Sequence, residues 1–402
     1  MNSRNIIINS YNKAILCIAL LCLAQNSAIA QGFVLTKTKV LENSIYHSYS
    51  SFTSSKIQLS SVIDNSLYFF QMENQKSTFS SWDFTRNTLN NYYSDTISAG
   101  ESIQNSFVQN DSLILTISTN NKSKSKIRTF NLKTQKAKTY LISENYNKIG
   151  YSIDDKLKLS DTYWEKQGKF AYLNLTSDSI ISRKYYPFKG KHFGGINKHE
   201  FSDCNKSYSV FSDAYNYNLR LLDDSFNLLD DTLLQKKEWK QIIESDFFTE
   251  KFANNMDEWK TSFSFYQKIS LIKDIQFLDS NKFAVIELRP QGQFYLDLWK
   301  IENNKLIIVK QDIPFPQNRG LQDEESMITK NHLPLTLTGP YYLDSKYFVA
   351  TEVVSLKENR FKEGITTKQS HDILNHSQER INSKDFGVWI GVFEHNLMDY
   401  YE

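Results

Sequence analysis

The chain has 402 residues, with 47 Lys and Arg against 45 Asp and Glu. This near-neutral balance argues against nucleic-acid partners, which need a concentrated basic surface, and equally against a polybasic membrane patch. A chain of this length can bury a hydrophobic core large enough to stabilise a fold without disulfides.

Residues 1–30 have the pattern of a secretory signal peptide. Arg4 and Lys13 supply positive charge, residues 14–24 form an apolar run, and Ala28-Ile29-Ala30 is a small-x-small cleavage motif before Gln31. The apolar run is shorter than the roughly 20 residues that span a bilayer. We therefore predict an exported protein, periplasmic or extracellular, with no membrane span after signal removal.

Only one cysteine remains in the predicted mature chain. Cys17 and Cys22 lie within the signal peptide, and both follow a leucine rather than a small residue, so lipidation is not favoured. Cys204 then stands alone, and no intrachain disulfide is expected. Stability must therefore come from the hydrophobic core.

A two-part pattern recurs about six times between residues 58 and 398. The first part is an extended run that breaks at an Asp- or Asn-centred turn and resumes as an apolar strand. Its copies lie at residues 62–69, 107–114, 151–157, 201–206, 277–283 and 342–347. The second part is an apolar strand, a polar turn and another strand. Its copies lie at residues 82–88, 130–136, 172–178, 221–227, 298–304 and 389–396. Both parts are β-hairpin signals.

Two hairpins per repeat predict a four-stranded antiparallel sheet. The first three turns, at Asp64, Asp111 and Asp154, are 47 and 43 residues apart, close to the roughly 40–50 residues of a propeller blade. On this spacing the chain resembles the β-propellers, in particular the six-bladed TolB-like exported bacterial propellers. The resemblance implies an all-β, six-bladed propeller formed by residues 31–402 as a single domain. The alternative folds are a β-sandwich and an open solenoid. If the fold is a propeller, the alternative number of blades is seven.

The ring is expected to close through the N-terminal strand. The last repeat ends after its third strand, near Met398, whereas residues 32–41 alternate like a strand but belong to no repeat. We predict that this strand supplies the missing outer strand of the last blade. Such closure protects the sheet edges that an open array would expose.

Three long insertions are predicted at residues 236–261, 313–338 and 357–385. In a four-stranded antiparallel blade, the first-to-second and third-to-fourth turns share one face, here named the short-turn face. The remaining connections share the opposite face, here named the long-loop face, and all three insertions belong to it. The first insertion has apolar residues at helical spacing, which predicts one short helical insertion. In the alternative interpretation, these apolar residues only pack onto the rim of the blade. The third insertion is polar, and the alternative to a binding role is that this segment is disordered.

We expect the long-loop face to bind a ligand or partner, because loops carry function more often than scaffolds do. Aromatic and arginine residues dominate most interfaces. The candidate residues are Trp239, Phe315, Arg319, Arg360, Phe361, His371 and Asp372.

No catalytic, metal or cofactor site is predicted. His371 and His376 lie five apart, outside the spacing of three or four that helical metal pairs prefer. Cys204 and His192 are expected at opposite faces, and no Gly-x-Ser-x-Gly motif occurs. The residues expected to line the central channel carry almost no net charge. A shift of the strand register by one residue would replace all of them with their sequence neighbours. They are Gln58, Ser60, Gln104, Ser106, Lys148, Ser152, His199, Gln276 and Thr338.

The favoured interpretation is an exported, non-catalytic binding or protein-interaction module for a protein or glycan partner of the cell envelope. One alternative is a propeller enzyme that acts on envelope glycans or small esters, with acids gathered at the channel mouth. Those acids would include Asp274, Asp323, Glu324 and Asp372. The other alternative is a structural subunit of an envelope assembly.

Overall fold

The structure is a computed structural model. It describes residues 33–42, 56–73, 76–96, 101–118, 125–144, 146, 148–161, 167–187, 200–213, 217–236, 239, 270–289, 293–314, 341–355 and 386–402. Within these residues the regular elements are 24 β-strands and one 3-10 helix, Leu397–Tyr401. The strands form six four-stranded antiparallel sheets, so the predicted six-bladed β-propeller is confirmed.

The first three blades each consist of four strands consecutive in sequence, from the inner strand outwards. Blade 1 contains β2 (Lys56–Ile63), β3 (Ser66–Glu73), β4 (Lys76–Asp83) and β5 (Thr88–Thr96). Blade 2 contains β6 (Ser102–Gln109), β7 (Ser112–Ser118), β8 (Ser125–Asn131) and β9 (Ala137–Ile142). Blade 3 contains β10 (Lys148–Ile153), β11 (Lys156–Asp161), β12 (Gln167–Asn174) and β13 (Ser179–Pro187).

Blades 4 and 5 follow the same order, whereas blade 6 takes its outer strand from the N-terminus. Blade 4 contains β14 (Glu200–Cys204), β15 (Ser209–Asp213), β16 (Asn218–Leu222) and β17 (Leu228–Leu233). Blade 5 contains β18 (Leu271–Phe277), β19 (Lys282–Arg289), β20 (Gln293–Glu302) and β21 (Lys305–Pro314). Blade 6 contains β22 (Tyr342–Leu343), β23 (Tyr347–Ser355), β24 (Phe386–His395) and β1 (Phe33–Glu42).

The predicted closure by the N-terminal strand is confirmed. β1 pairs with β24 along its whole length, from Phe33 opposite His395 to Glu42 opposite Gly387. Leu41 joins the buried core between blades 6 and 1, and the side chain of Thr36 donates a 3.0 Å hydrogen bond to the carbonyl oxygen of Val392. The two ends of the chain thus complete one sheet.

The hydrophobic core lies between the blades. Each pair of consecutive blades shares one apolar cluster, including the pair formed by blades 6 and 1. Trp82 of blade 1, for example, packs in the same cluster as Val349 and Ile390 of blade 6. Because each sheet is covered by both neighbours, its strands carry apolar residues on both faces rather than on one.

The turns of the short-turn face follow from Asp and Asn chemistry. In the first three blades, both residues of the first turn are left-handed, with φ between 43° and 62°, as type I′ hairpins require. These residues are Asp64, Asn65, Asn110, Asp111, Asp154 and Asp155. In the second turns, Asp83, Asn131 and Asn174 each accept two backbone N–H groups at 2.7–3.1 Å. Asp and Asn suit such turns because they tolerate φ > 0 and bond the backbone locally.

Blade 4 departs from the expected turn position. Asn205, rather than Asp203, accepts the N–H groups of Ser207 and Tyr208, both at 2.9 Å. Asp203 remains within β14, and its carboxylate accepts a 2.8 Å hydrogen bond from the N–H of Phe277 in the neighbouring blade. Cys204 is therefore the last residue of the strand and not part of the turn.

The predicted insertions lie mostly outside the described residues. Strand β21 continues to Pro314, so the first two residues of the segment 313–338 are strand. Of the segment 236–261, only Lys236 and Trp239 are described, and the predicted helix therefore lies outside the described part. Residues 357–385 lie outside it entirely. No helix among the described residues is long and apolar enough to cross a membrane.

Candidate functional site

Three carboxylates lie side by side at the long-loop end of blade 5. Glu287 belongs to β19, Asp297 to β20 and Asp312 to β21. Glu287 and Asp297 have no exposed surface, although apolar residues flank both of them in sequence. Buried acids of this kind require charged or hydrogen-bonding partners.

A β-bulge brings Asp312 to the other two acids. Leu296 pairs with Ile313 and Leu298 with Lys310, so two residues of β21 stand opposite Asp297 alone. Asp312 adopts φ of 61°, and its N–H donates a 3.0 Å hydrogen bond to Oδ1 of Asp297. Bulges commonly redirect a side chain in this way.

Lys236 supplies the central positive charge. It follows the outer strand of blade 4 and is buried against blade 5. Its Nζ forms ion pairs with Glu287 and Asp297 and a longer one, 3.3 Å, with Asp312. One ammonium group therefore joins carboxylates from three adjacent strands and links two blades.

Arg289 is the second cation. Its Nε and Nη2 each donate a 3.0 Å hydrogen bond to Oε2 of Glu287, and Nη2 also pairs with Asp312. Cζ of its guanidinium group lies 4.1 Å from the ring centre of Tyr295. Lys236, Glu287, Arg289, Asp297 and Asp312 are called the blade-5 ion cluster below.

Aromatic side chains enclose the cluster on the blade-4 side. The hydroxyl of Tyr217 donates a 2.7 Å hydrogen bond to Oδ2 of Asp297 and accepts one of 3.1 Å from Nε1 of Trp299. Trp239 packs edge-on against Tyr217, with ring centres 5.1 Å apart, and its Nε1 lies 3.5 Å from Oε2 of Glu287. These rings shield the ion pairs from water, which strengthens them.

The charge balance of the cluster affects its protonation. Three carboxylates face two cations, so one excess negative charge would remain if every acid were ionised. Burial, and then the neighbouring Asp297, raise the pKa of Glu287 to about 8 against the opposing effect of Lys236. Burial lowers the pKa of Lys236, but Glu287 and Asp297 outweigh it and the net pKa is raised. The surroundings of Glu287 therefore favour its protonated form more than water does, whereas those of Lys236 favour its charged form.

The cluster joins chain segments to one another. Its centre is filled by the Lys236 ammonium group, and the described residues contain no group of three or more His, Cys, Asp or Glu suited to a metal ion. Lys236 directly precedes residues 237–269, and Arg289 directly precedes residues 290–292. Asp312 is separated from residues 315–340 by two residues, Ile313 and Pro314. The cluster thus fixes the strand ends from which three connections of the long-loop face begin.

Of the predicted partner-face residues, the structure describes one. Trp239 is half-buried beside the ion cluster, on the long-loop side of blades 4 and 5. The other six lie outside the described residues: Phe315, Arg319, Arg360, Phe361, His371 and Asp372. Whether Trp239 contacts a partner therefore stays a prediction.

The channel residues are described in part. The side chains of Ser60 and Ser106 are buried, and Gln276 donates to Oδ2 of Asp274 and to the carbonyl oxygen of Tyr341. Asp274 also accepts the N–H of Ile275 at 2.8 Å. The carboxylate of Asp274 is thus used for local hydrogen bonds. The other channel candidates lie outside the described side chains, as do Asp323 and Glu324.

The sequence-based prediction missed the ion cluster. The available signal was a charged residue within an apolar strand, such as Glu287 between Ile286 and Leu288, or Asp297 between Leu296 and Leu298. A buried strand rarely carries a charge without a partner. That signal does not identify the partner, because Lys236 lies 51 residues before Glu287.

Comparisons with known structures agree with the fold. The chain is similar to a member of the duf4221 family from Bacteroides vulgatus, with 11% identity, a TM-score of 0.51, and coverage of 91% of this chain and 98% of that one. It also matches a Bacteroides fragilis protein whose name proposes export, with 10% identity, a TM-score of 0.43, and coverage of 89% and 96%. A third match is the β-propeller domain of the Trilobed protease from Pyrococcus furiosus, with 9% identity, a TM-score of 0.39, and coverage of 74% and 79%. No protein-family model matches the sequence, and no curated protein matches it either. At these identities the first similarity shows the β-propeller fold and nothing beyond it.

Proposed function

We propose that this chain is an exported, non-catalytic binding or protein-interaction module that uses the long-loop face of a six-bladed β-propeller. Export is proposed from the N-terminal sequence, with its positive residues, apolar run and Ala-x-Ala motif. The partner is proposed to be a protein or glycan of the cell envelope.

The observation that carries this proposal is the asymmetry between the two faces. The strands on either side of residues 237–269, 315–340 and 356–385 all end at the long-loop face. The opposite face is made of short turns whose polar side chains bond their own backbone. Segments of this length within a compact domain are usually either functional loops or linkers, and their position on one face favours the functional role.

The blade-5 ion cluster is a second reason to propose that binding uses the long-loop face. Binding loops work best when a rigid scaffold holds their ends. Lys236, Arg289 and Asp312 hold strand ends beside three connections through buried ion pairs. Because Glu287 and Asp297 are fully buried and already paired, they support an anchoring role rather than acid–base catalysis on a substrate.

The test is affinity capture from the envelope of the producing cells, with residues 31–402 as bait. One control bait lacks residues 357–385, and a second carries Trp239→Ala. A matched third control carries Tyr400→Ala, which alters an exposed aromatic residue on the short-turn side. Circular dichroism first establishes that all four proteins are folded.

We expect one protein recovered in near-equal amount by the wild-type and Tyr400→Ala baits, and lost with the deletion. Recovery that is unchanged by the deletion would refute the use of this segment in binding. An empty capture would contradict a protein partner and would make soluble envelope glycans and small esters the next compounds to test. Recovery of a large, stable assembly with several subunits would favour the structural-subunit alternative.

A further inference from the structure

His395 joins three parts of the chain at the short-turn end of blade 6. It is the last residue of β24 and lies opposite Phe33, the first residue of β1, with ring centres 5.7 Å apart. Its backbone N–H donates a 3.1 Å hydrogen bond to the carbonyl oxygen of Lys346, in the first turn of the blade. The C-terminal 3-10 helix begins two residues later, at Leu397. His395 therefore stands between the closing strand, the turn and the C-terminus.

Both ring nitrogens of His395 are used, and their roles differ. Nε2 lies 2.8 Å from the carbonyl oxygen of Asp344, which only accepts, so Nε2 carries the proton and donates it. Nδ1 accepts the backbone N–H of Leu397 at 3.3 Å. These contacts fit the neutral ring with its proton on Nε2. A second proton has to be added at Nδ1, which faces an N–H group.

Nδ1 of His395 also takes the place of a helix cap. The first N–H groups of a helix have no partner within it, and a side chain of the preceding residue commonly accepts one of them. Asn396 precedes the C-terminal helix but makes no such side-chain hydrogen bond. The bond from Leu397 to His395 satisfies one of these N–H groups instead. The start of the helix thus depends on an unprotonated Nδ1.

The C-terminal helix holds blade 6 against blade 5. Leu397 has no exposed surface and packs in the core between these two blades. At the other end of the helix, the hydroxyl of Tyr401 donates to the carbonyl oxygens of Phe283 and Trp299, both at 3.1 Å. The ring of Tyr401 lies below Nζ of Lys282, 5.0 Å from its centre. Release of the helix would therefore free one attachment between the blades.

The surroundings of His395 do not support a positive charge. The ring is partly buried, and burial lowers its pKa from the ordinary 6.5, against opposing effects from Asp344 and from the backbone of Tyr347. The docked helix is consequently favoured above pH 6.5 and loses stability as the pH falls below that value. Within the described residues no carboxylate forms an ion pair with the ring, and the carboxylate of Asp344 accepts the N–H groups of its own turn. The charged residues of the surrounding elements are Asp344 and Lys346 in the turn, Glu394 in β24, Asp399 in the helix and Lys37, the first charged residue of β1.

We propose that His395 is a proton-sensitive switch for the attachment of the C-terminal helix. In the neutral state, Nδ1 caps the helix and Tyr401 holds it on blade 5. Protonation of Nδ1 removes the acceptor and sets two N–H groups face to face, so that the helix leaves blade 5. β1 stays paired with β24, because that pairing uses backbone groups. The switch acts at the short-turn end and does not depend on the proposed binding function.

The first measurement is a ¹H–¹⁵N NMR titration of the histidine rings in residues 31–402, from pH 8 down to pH 5. His395→Gln identifies the signal of His395 by its loss, and the glutamine amide still donates to Asp344 but does not titrate. We expect a proton on Nε2 at pH 8 and a pKa of His395 below the ordinary 6.5. A proton on Nδ1 at pH 8, or a pKa above 6.5, would overturn the proposal.

The second measurement is hydrogen exchange of the amides in residues 397–402 at several pH values, relative to an unstructured peptide at the same pH. Tyr401→Phe is the matched control, because it weakens the far end of the helix and leaves His395 intact. Residues 170–173, in the core of blade 3, report unfolding of the whole protein.

We expect the wild-type helix to lose protection at low pH by on the order of tenfold, the effect of one lost hydrogen bond. Tyr401→Phe should be less protected at every pH and should keep the pH dependence, whereas His395→Gln should not show it. Equal pH dependence in the wild type and His395→Gln would contradict the switch. An equal loss at residues 170–173 would mean global unfolding instead of helix release. Even if His395→Gln does not fold, the wild-type exchange profile must share its midpoint with the histidine titration, and different midpoints would refute the proposal.

Discussion

The hydroxyl of Tyr217 donates a 2.7 Å hydrogen bond to Oδ2 of Asp297 and so joins blade 4 to blade 5 inside the protein. Tyr217 exposes 1% of its surface and Asp297 none. The same hydroxyl accepts the indole N–H of Trp299. Tyr217 therefore links the aromatic wall to the ion cluster. The loss of its oxygen would remove the acceptor of the Trp299 indole N–H and one of the hydrogen bonds to Asp297.

Tyr217→Phe should lower the free energy of unfolding by about 1.5–3 kcal/mol, the usual range for a hydrogen bond to a charged group. The measurement is urea-induced unfolding followed by tryptophan fluorescence. Tyr185→Phe, at an exposed position, is the matched control and should change little. Equal effects of the two substitutions would contradict the role of Tyr217.

Lys236→Met should be more severe, because it leaves buried carboxylates without their central cation. Breaking a buried pair by removing one partner typically costs about 3–5 kcal/mol. The side chain of Lys236 is 3% exposed and that of Glu287 is 0% exposed, so solvent screening does not reduce this expectation much. The measurement is again the urea midpoint at constant m-value.

Lys305→Met is the control for the loss of a lysine ion pair. Lys305 pairs with Asp230 at 2.9 Å, but its side chain is largely exposed. Pairs of this kind contribute under about 1 kcal/mol. A Lys236→Met protein no less stable than Lys305→Met would show that the buried network adds nothing to stability.

Glu287 should make stability fall as the pH rises. Its pKa is raised in the folded protein, from the ordinary 4.5 to about 8, so the folded state binds its proton more tightly than the unfolded chain does. The contribution is fully present below pH 4.5 and is lost as the pH rises through about 8. Glu287→Gln keeps the shape of the protonated acid and cannot ionise.

The difference between wild type and Glu287→Gln isolates this group from all others that titrate. Urea unfolding between pH 5 and pH 9 should show the wild type losing stability relative to the variant as the pH rises. Parallel curves over that interval would rule out the raised pKa. The opposite trend would mean that Lys236 and Arg289 hold Glu287 ionised.

The repeat made most of the fold predictable. A left-handed turn favours Asp and Asn so strongly that pairs such as Asp64-Asn65 and Asp154-Asp155 reveal hairpins without any tertiary information. Closure was predictable because residues 32–41 alternate like a strand and belong to no repeat. In β1, Val34 is exposed, whereas Leu41 is buried in the core between blades 6 and 1.

The ion cluster could not be predicted in the same way. Lys236 and Asp312 are 76 residues apart, and a lysine at the start of an insertion looks like a solvated charge. The bulge that turns Asp312 inwards is set by the pairing of β20 with β21, and the local sequence does not specify it. Blade 4 shows the same limit, since both Asp203 and Asn205 suit a turn, and the hydrogen bond that Asp203 accepts from Phe277 of blade 5 cannot be read from the local sequence.

A protein that begins at residue 43 should lose stability and aggregate, because it lacks β1. Removing this strand exposes the backbone edge of β24 and the core between blades 6 and 1, to which Leu41 contributes. An unpaired edge next to apolar surface promotes association between chains. A synthetic peptide of residues 31–42 should bind the truncated protein at that edge, raise its Tm in a concentration-dependent way and suppress aggregation. A scrambled peptide of the same composition is the control, and equal rescue by both peptides would mean that the register between Phe33 and Glu42 does not determine closure.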